Sequence, residues 1–264
     1  MLAVNETSQP QNMKYKIILF LIVFISIPSY SQKKYLFDYM MEYDLKDTDT
    51  SKVRKEIILT NSKDNSYILR VFEKDSSNFD LIFFDQNGIY SKSILDKKSF
   101  SRAEFITLNC GVVSGYGNPY KYQTKNYDFI NKSDTIIEGQ HYSHYFLKSN
   151  KPKKEKRKKL ATEHFIIEKN TSFHLPILEF STTYEEWKLE KNIPNGIPKE
   201  MFLLSFNKKK YSFFHKLKQY ARINKYVTIP EECDYTNPYI IKRRDSLSNI
   251  SIKKLKSKSL IFSF

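Results

Sequence analysis

The chain has 264 residues, is 40% hydrophobic and 15% aromatic, and carries a formal charge of +15. That length is near the upper bound for one domain and short for two. Twenty Phe and nineteen Tyr against six Gly favour pleated, half-buried surfaces and argue against a helical bundle. The charge does not read as a nucleic-acid footprint, because its excess is confined to residues 148–159 (eight basic side chains, one Glu) and 242–258 (seven basic, one Asp).

The first element is a leader over residues 14–31. Lys14 and Lys16 form a positive n-region, residues 17–27 (IILFLIVFISI) an apolar h-region, Pro28 a break, and Ser29 and Ser31 the small residues before Gln32. At 1.5 Å per residue the apolar run covers about half of a bilayer core, so no transmembrane span is expected. The pattern predicts an exported protein, starting at Met13, cut after Ser31, and placed in the periplasm, on the outer envelope or outside the cell. No Cys stands at the cleavage site, which excludes acylation there.

The mature chain divides into a β-rich domain over residues 32–239 and a basic, disordered tail over 240–264. Its first strand is the clearest: Tyr35, Phe37, Tyr39, Met41, Tyr43 and Leu45 alternate with more polar neighbours, a period that a helix cannot produce. Shorter β-like runs follow at 56–60, 67–72, 79–84 and 89–95, the last two joined by Asn87-Gly88, a hairpin signal. Residues 140–147 and 164–169 read as a strand pair joined by the basic loop 148–159, which should be solvated and mobile. Leu217, Ala221, Ile223, Val227 and Ile229 share one face of a further extended segment, with a helix over 213–226 as the minority reading. Strands separated by short polar turns predict a mainly β fold: one strongly curved antiparallel sheet, half-barrel-like, with minor helix.

Four segments carry a family resemblance: the leader ending SYSQ, the strand YLFDYMMEY, the segment TIIEGQHYSHYFLK and the later IPNGIP. With them the chain resembles exported β-rich bacterial proteins of the GLPGLI type, and more distantly lipoprotein-carrier (LolA-like) half-barrels. The GLPGLI string itself is absent, with FHLPILEF nearby, and no Cys follows Gly139. The resemblance implies a curved sheet and an envelope address, and it transfers no functional residue.

The chemical candidates are few. Cys110 and Cys233 are the only cysteines; in an oxidising compartment they either bridge or stay as two buried thiols. The loop 109–120 (NCGVVSGYGNPY) holds half the glycines, with Cys110 and Ser114 as potential nucleophiles, yet it is neither a phosphate loop nor a nucleophile elbow. Tyr116 and Tyr120 there offer contact area for a ligand. His141 and His144, three apart on a strand, point to opposite faces and make no joint metal site. Glu185-Glu186 and Glu231-Glu232 are adjacent pairs expected in solvent, and Trp187 reads as a packing anchor. No metal or other cofactor is expected.

The function predicted from these features is a non-catalytic envelope or secreted binding module for a hydrophobic or surface ligand. Phe37, Tyr39 and Met41 would line the concave face, and the expected partner is a lipid, another apolar ligand or an envelope component. Two alternatives come from other classes: a polyanion-binding surface protein using loop 148–159 and the tail, and a secreted hydrolase with its nucleophile in loop 109–120.

Overall fold

The computed structural model describes residues 32–48, 51–118, 122–207 and 211–235. The leader, the proposed start at Met13 and the tail 240–264 lie outside the described residues, as does Tyr120.

The chain builds a twelve-stranded open sheet, mainly antiparallel and curved. Its centre is β1 (Lys33–Thr48), whose buried positions alternate from Tyr35 to Leu45 as the period of two requires. On one side β1 pairs with β2 (Arg54–Asn61), and β3 (Asp64–Glu73), β4 (Asn78–Asp85), β5 (Ile89–Asp96) and β7 (Val113–Gly115) follow outward. On the other side β1 pairs along its length with β12 (Tyr211–Ile229), followed by β11 (Pro198–Leu204), β10 (Thr162–Ile167), β9 (Gln140–Ser149) and β8 (Tyr127–Ile137). β12 has nineteen residues and two different outer partners. Its Tyr211–Lys216 portion pairs with β11, and Tyr226–Thr228 pairs in parallel with β6 (Phe105–Thr107), the one parallel pair among the described strands.

The tight connections have the expected chemistry. β4 and β5 meet through Asn87-Gly88, with Gly88 at φ +120°, where a side chain would be strained. Glu138 and Gly139, both at positive φ, turn β8 into β9.

The odd-numbered side chains of β1 feed two cores. Tyr39, Met41 and Tyr43 join Ile58, Tyr145, Phe165 and Met201, while Tyr35 and Phe37 join Leu59, Leu69, Phe83 and Val227. The first core is closed by a cover, residues 168–197, which contributes Ile177, Leu178, Tyr184, Ile193 and Ile197. The second is closed by Phe100 of α1 (Lys97–Arg102), Ile106, Leu108 and the Cys110–Cys233 disulfide, whose sulfurs lie 2.05 Å apart.

Three expectations need correction. The basic stretch 148–159 is not a loop throughout: Pro at the first helical position and Lys159 in the left-handed region bound a short helix, α2 (Pro152–Lys158), with Lys148 3.6 Å from Glu155. Within β12 only Val227 and Ile229 of the predicted apolar face are buried, because bulges in the pairing with β1 break the alternation. Glu186 is buried rather than solvated, since it lies on the inner side of α3 (Ser181–Glu190), the helix of the cover.

Candidate ligand-binding groove

The cover walls a concavity against the β2–β3 turn. Phe180 enters α3 in extended conformation, and Lys191 ends it in the left-handed region, its N–H bonded to the Trp187 carbonyl. Between these ends, Tyr184, Trp187 and Lys191 stand at i, i+3 and i+7, the spacing that brings side chains onto one helix face. That face looks across at the β2–β3 turn. Together with Lys63, Asp64, Asn65, Leu175 and Asn195 it walls a groove of about 490 Å³.

The turn is tied to the cover rather than free. Lys63 Nζ donates to the Phe173 carbonyl at 3.3 Å, and Asn65 Nδ2 donates to the Pro176 carbonyl at 3.0 Å. The Tyr184 and Trp187 rings are 6.3 Å apart. Lys191 Nζ sits 5.9 Å from the Trp187 ring centre and Lys188 Nζ 5.8 Å from that of Tyr184, within cation–π range. Burial, reinforced by Asp64, raises the Tyr184 phenol above its ordinary value, so it stays neutral. The groove therefore offers two aromatic surfaces, ammonium groups and amide donors. It suits a ligand with an apolar body and an anionic group.

A cluster of buried charges lies deeper, where the cover meets the sheet. Glu56 of β2 is bridged by Arg70 Nε of β3 and by His215 Nε2 of β12 at 2.8 Å. Arg70 also reaches Glu179 of the cover at 3.1 Å, and His215 lies 3.8 Å from the same carboxylate. His215 Nδ1 is 3.0 Å from the Phe213 carbonyl. Both ring nitrogens thus face groups that only accept hydrogen bonds, a pattern that the imidazolium alone satisfies. Burial by itself would push His215 down, but Glu179 and Glu56 outweigh it and hold the ring above its ordinary value. Beside this cluster, burial pushes Glu163 of β10 up to about 8, against the lowering effect of Thr183 Oγ1, which donates to it at 2.6 Å. Arg70, Glu163, Glu179 and His215 together line a cavity of about 70 Å³.

The residues singled out in the sequence are distributed differently from expectation. Phe37 and Met41 are fully buried, and Tyr39 nearly so under Phe173 and His174 of the cover. The strand face expected to be an open wall is therefore packed core. Tyr116 does not line the groove: its hydroxyl meets Ser181 Oγ at 3.1 Å and its ring packs edge-on against Phe84. It props the start of α3. Cys110 is bonded to Cys233 and is not a free nucleophile, and Ser114 Oγ donates to the Tyr90 carbonyl at 3.3 Å from within a paired strand. His144 meets His164 of the neighbouring strand at 2.9 Å, while no group of three metal-ligating side chains forms among the described residues.

Sequence reasoning missed the groove and the charge cluster alike. Trp187 carried a signal as the single Trp, but the opposite wall, Lys63, Asp64 and Asn65, comes from a turn over a hundred residues earlier. Glu56, Arg70 and His215 sit on three separate strands, and no local sequence pattern marks them as neighbours.

No helix among the described residues is long and apolar enough to cross a membrane. No family model matches the chain, and no curated protein matches it. Solved structures with a similar arrangement include MucB in complex with MucA from Pseudomonas aeruginosa, 5% identical over 70% of this chain and 51% of that one, TM-score 0.34. A Vibrio parahaemolyticus domain described as an outer-membrane lipoprotein-sorting protein is 10% identical over 78% of this chain and 91% of that one, TM-score 0.27. A DUF1329 family protein from Desulfovibrio piger is 10% identical over 81% of this chain and 94% of that one, TM-score 0.26. The chain spans about half the length of the MucB chains it matches.

Proposed function

We propose that the protein is a non-catalytic binding module of the cell envelope that seats an amphiphilic ligand in the groove between α3 and the β2–β3 turn. One observation carries this reading: Tyr184, Trp187 and Lys191 share one face of the cover helix and turn it toward Lys63 across about 490 Å³. That volume is within the range of small-ligand sites, and the mixture of rings with a few polar groups is their usual lining. The ligand's apolar part lies against Tyr184 and Trp187, and its anionic part meets Lys63 and Lys191. Tyr39 and Met41 form the deeper apolar floor, reached only when the cover lifts, while Phe37 belongs to the second core and takes no part.

The test is a titration of the purified chain with the anionic aromatic probe 1-anilinonaphthalene-8-sulfonate, read by its emission and by quenching of Trp187. Saturable binding at one site is expected, weakened about tenfold or more by Lys63→Glu with Lys191→Glu, since one lost charge-assisted contact is worth a factor of that order. Both lysines are exposed, and Asn65 still ties the turn to the Pro176 carbonyl when the Lys63 contact is lost, so the double variant keeps the fold. Non-saturable binding, or equal affinity in the double variant, overturns the groove as the seat.

A further inference from the structure

The cover is held to the sheet by charges that balance only when one acid is protonated. Glu56 and Glu179 contribute two negative charges, and Arg70 and protonated His215 two positive ones. These four groups come from β2, the cover, β3 and β12, so the balance exists only while the cover is down. Glu163 of β10 is the fifth member and pairs with no cation among the described residues: its hydrogen-bond partner there is Thr183 of α3. Tyr145 of β9 is the titratable group that faces it from the adjacent strand. Glu179 Oε1 accepts no hydrogen bond among the described residues and stands 3.8 Å from His215 Nε2.

We propose that Glu56, Arg70, Glu179 and His215, with Glu163, form a charge-balanced latch that holds the cover 168–197 on the sheet and releases it as pH rises. The consequence for the groove rests on the ligand-binding reading above, because α3 is one of its walls; the latch itself does not. In the closed state Glu163 is protonated and the cluster is neutral. Loss of its proton, or of the one on His215, leaves unbalanced negative charge in a buried site between cover and sheet.

The sign follows from linkage. Glu163 keeps its proton up to about 8 with the cover down, whereas an exposed Glu ionises near its ordinary value of 4.5. Between those two values the closed state binds one proton more than the open one. Opening must therefore grow about tenfold per pH unit across that window and level off above it. His215, held above its ordinary value by Glu179 and Glu56, adds opening in the same direction once pH passes 6.5. Glu56 works only on the acid side. Although burial disfavours its charge, His215 and Arg70 hold it below its ordinary value, so acid below about 4.5 also weakens the cluster.

The experiment is hydrogen exchange of the full chain read by mass spectrometry at pH 5, 6, 7, 8 and 9, comparing wild type with Glu163→Gln. Taking the ratio of the two proteins at each pH removes the intrinsic pH dependence of exchange. Gln keeps an acceptor for Thr183 but cannot ionise. The ratio of opening constants for peptides in 174–191, wild type over variant, should rise about tenfold per unit to pH 8 and then flatten. Thr183→Val is the second variant: it leaves Glu163 able to ionise and should raise opening at every pH. If Glu163→Gln folds poorly, the wild-type and Thr183→Val opening constants of the cover, each divided by that of β1 peptides in the same chain, should still rise with pH to about 8, and no rise overturns the latch. A flat ratio from pH 5 to 8 overturns the latch. So does cover opening that matches that of β1 peptides at every pH, since the cover then has no separate equilibrium. Neither result bears on probe binding in the groove.

Discussion

Arg70 is the side chain on which the two buried carboxylates of the cluster depend. Its Nε bridges Glu56 and its Nη1 reaches Glu179, so truncating it takes the guanidinium from two buried acids, side-chain exposure 0% and 8%. Breaking a buried ion pair from one side costs about 3–5 kcal/mol, most of it the uncompensated charge left behind. Arg70→Leu should therefore lower the urea-unfolding free energy by that amount. Arg70→Lys should recover little, because a point ammonium cannot address two carboxylates from one planar fork. Arg54 supplies the control: it also holds a carboxylate, Asp47, at 2.7 Å, but both partners are about half exposed. Arg54→Leu should change stability by no more than about 1 kcal/mol. Equal effects at the two positions would show that the cluster is solvated rather than buried.

The cover behaves as an element with two anchors of different kinds. Its α3 end adds polar contacts from Glu179 and Thr183 to the packing of Leu178 and Tyr184, while its C-terminal end is held by close packing around Gly196. There φ is +146°, and a Cβ would stand 2.3 Å from Ile167 Cγ2 and 2.9 Å from Thr171 Oγ1. Thr171 Oγ1 is itself engaged, donating to the Glu168 carbonyl and accepting from Ile197 N–H at 2.9 Å. Gly196→Ala should thus cost about 1–3 kcal/mol in urea unfolding and raise exchange in 168–197 above that of β1. Unchanged protection of the cover would remove Gly196 as its anchor. How legible each element was follows from what it buries. β1 shows its alternation because one of its faces is wholly apolar, and the Asn87-Gly88 hairpin shows because positive φ selects its residues. α3 left no such trace. The buried side chains it presents include Ser181, Thr182, Thr183 and Glu186, so helical periodicity of apolar residues is missing where the helix does its packing. The carboxyl of Glu186 shows the consequence: burial, with Asp128 and Glu190 nearby, pushes it up to about 7.

At the scale of the molecule the long-range constraint is covalent. Cys110 and Cys233 are 123 residues apart and close the second core, where Cys233 is buried beside Ile106, Val113 and Ile229. A loop of that length, closed in the unfolded chain, is worth about 5 kcal/mol in the chain-entropy model. For a protein of this size each kcal/mol moves the thermal midpoint by about 2–4 °C, so losing the bond should lower it by about 10–20 °C. Scanning calorimetry of the oxidised chain, of the same chain with a thiol reductant, and of Cys110→Ser with Cys233→Ser measures this directly. The double variant should fall by the same amount and become insensitive to reductant. The experiment also bears on compartment. A cytosolic protein cannot rely on a bond that glutathione and thioredoxin reduce, whereas an exported one can. If the reduced chain melts within about 2 °C of the oxidised one, the bond is dispensable to the fold and its stability gives no support for export. If it melts far lower, the fold is built for an oxidising compartment, because the second core then depends on a bond that persists only there.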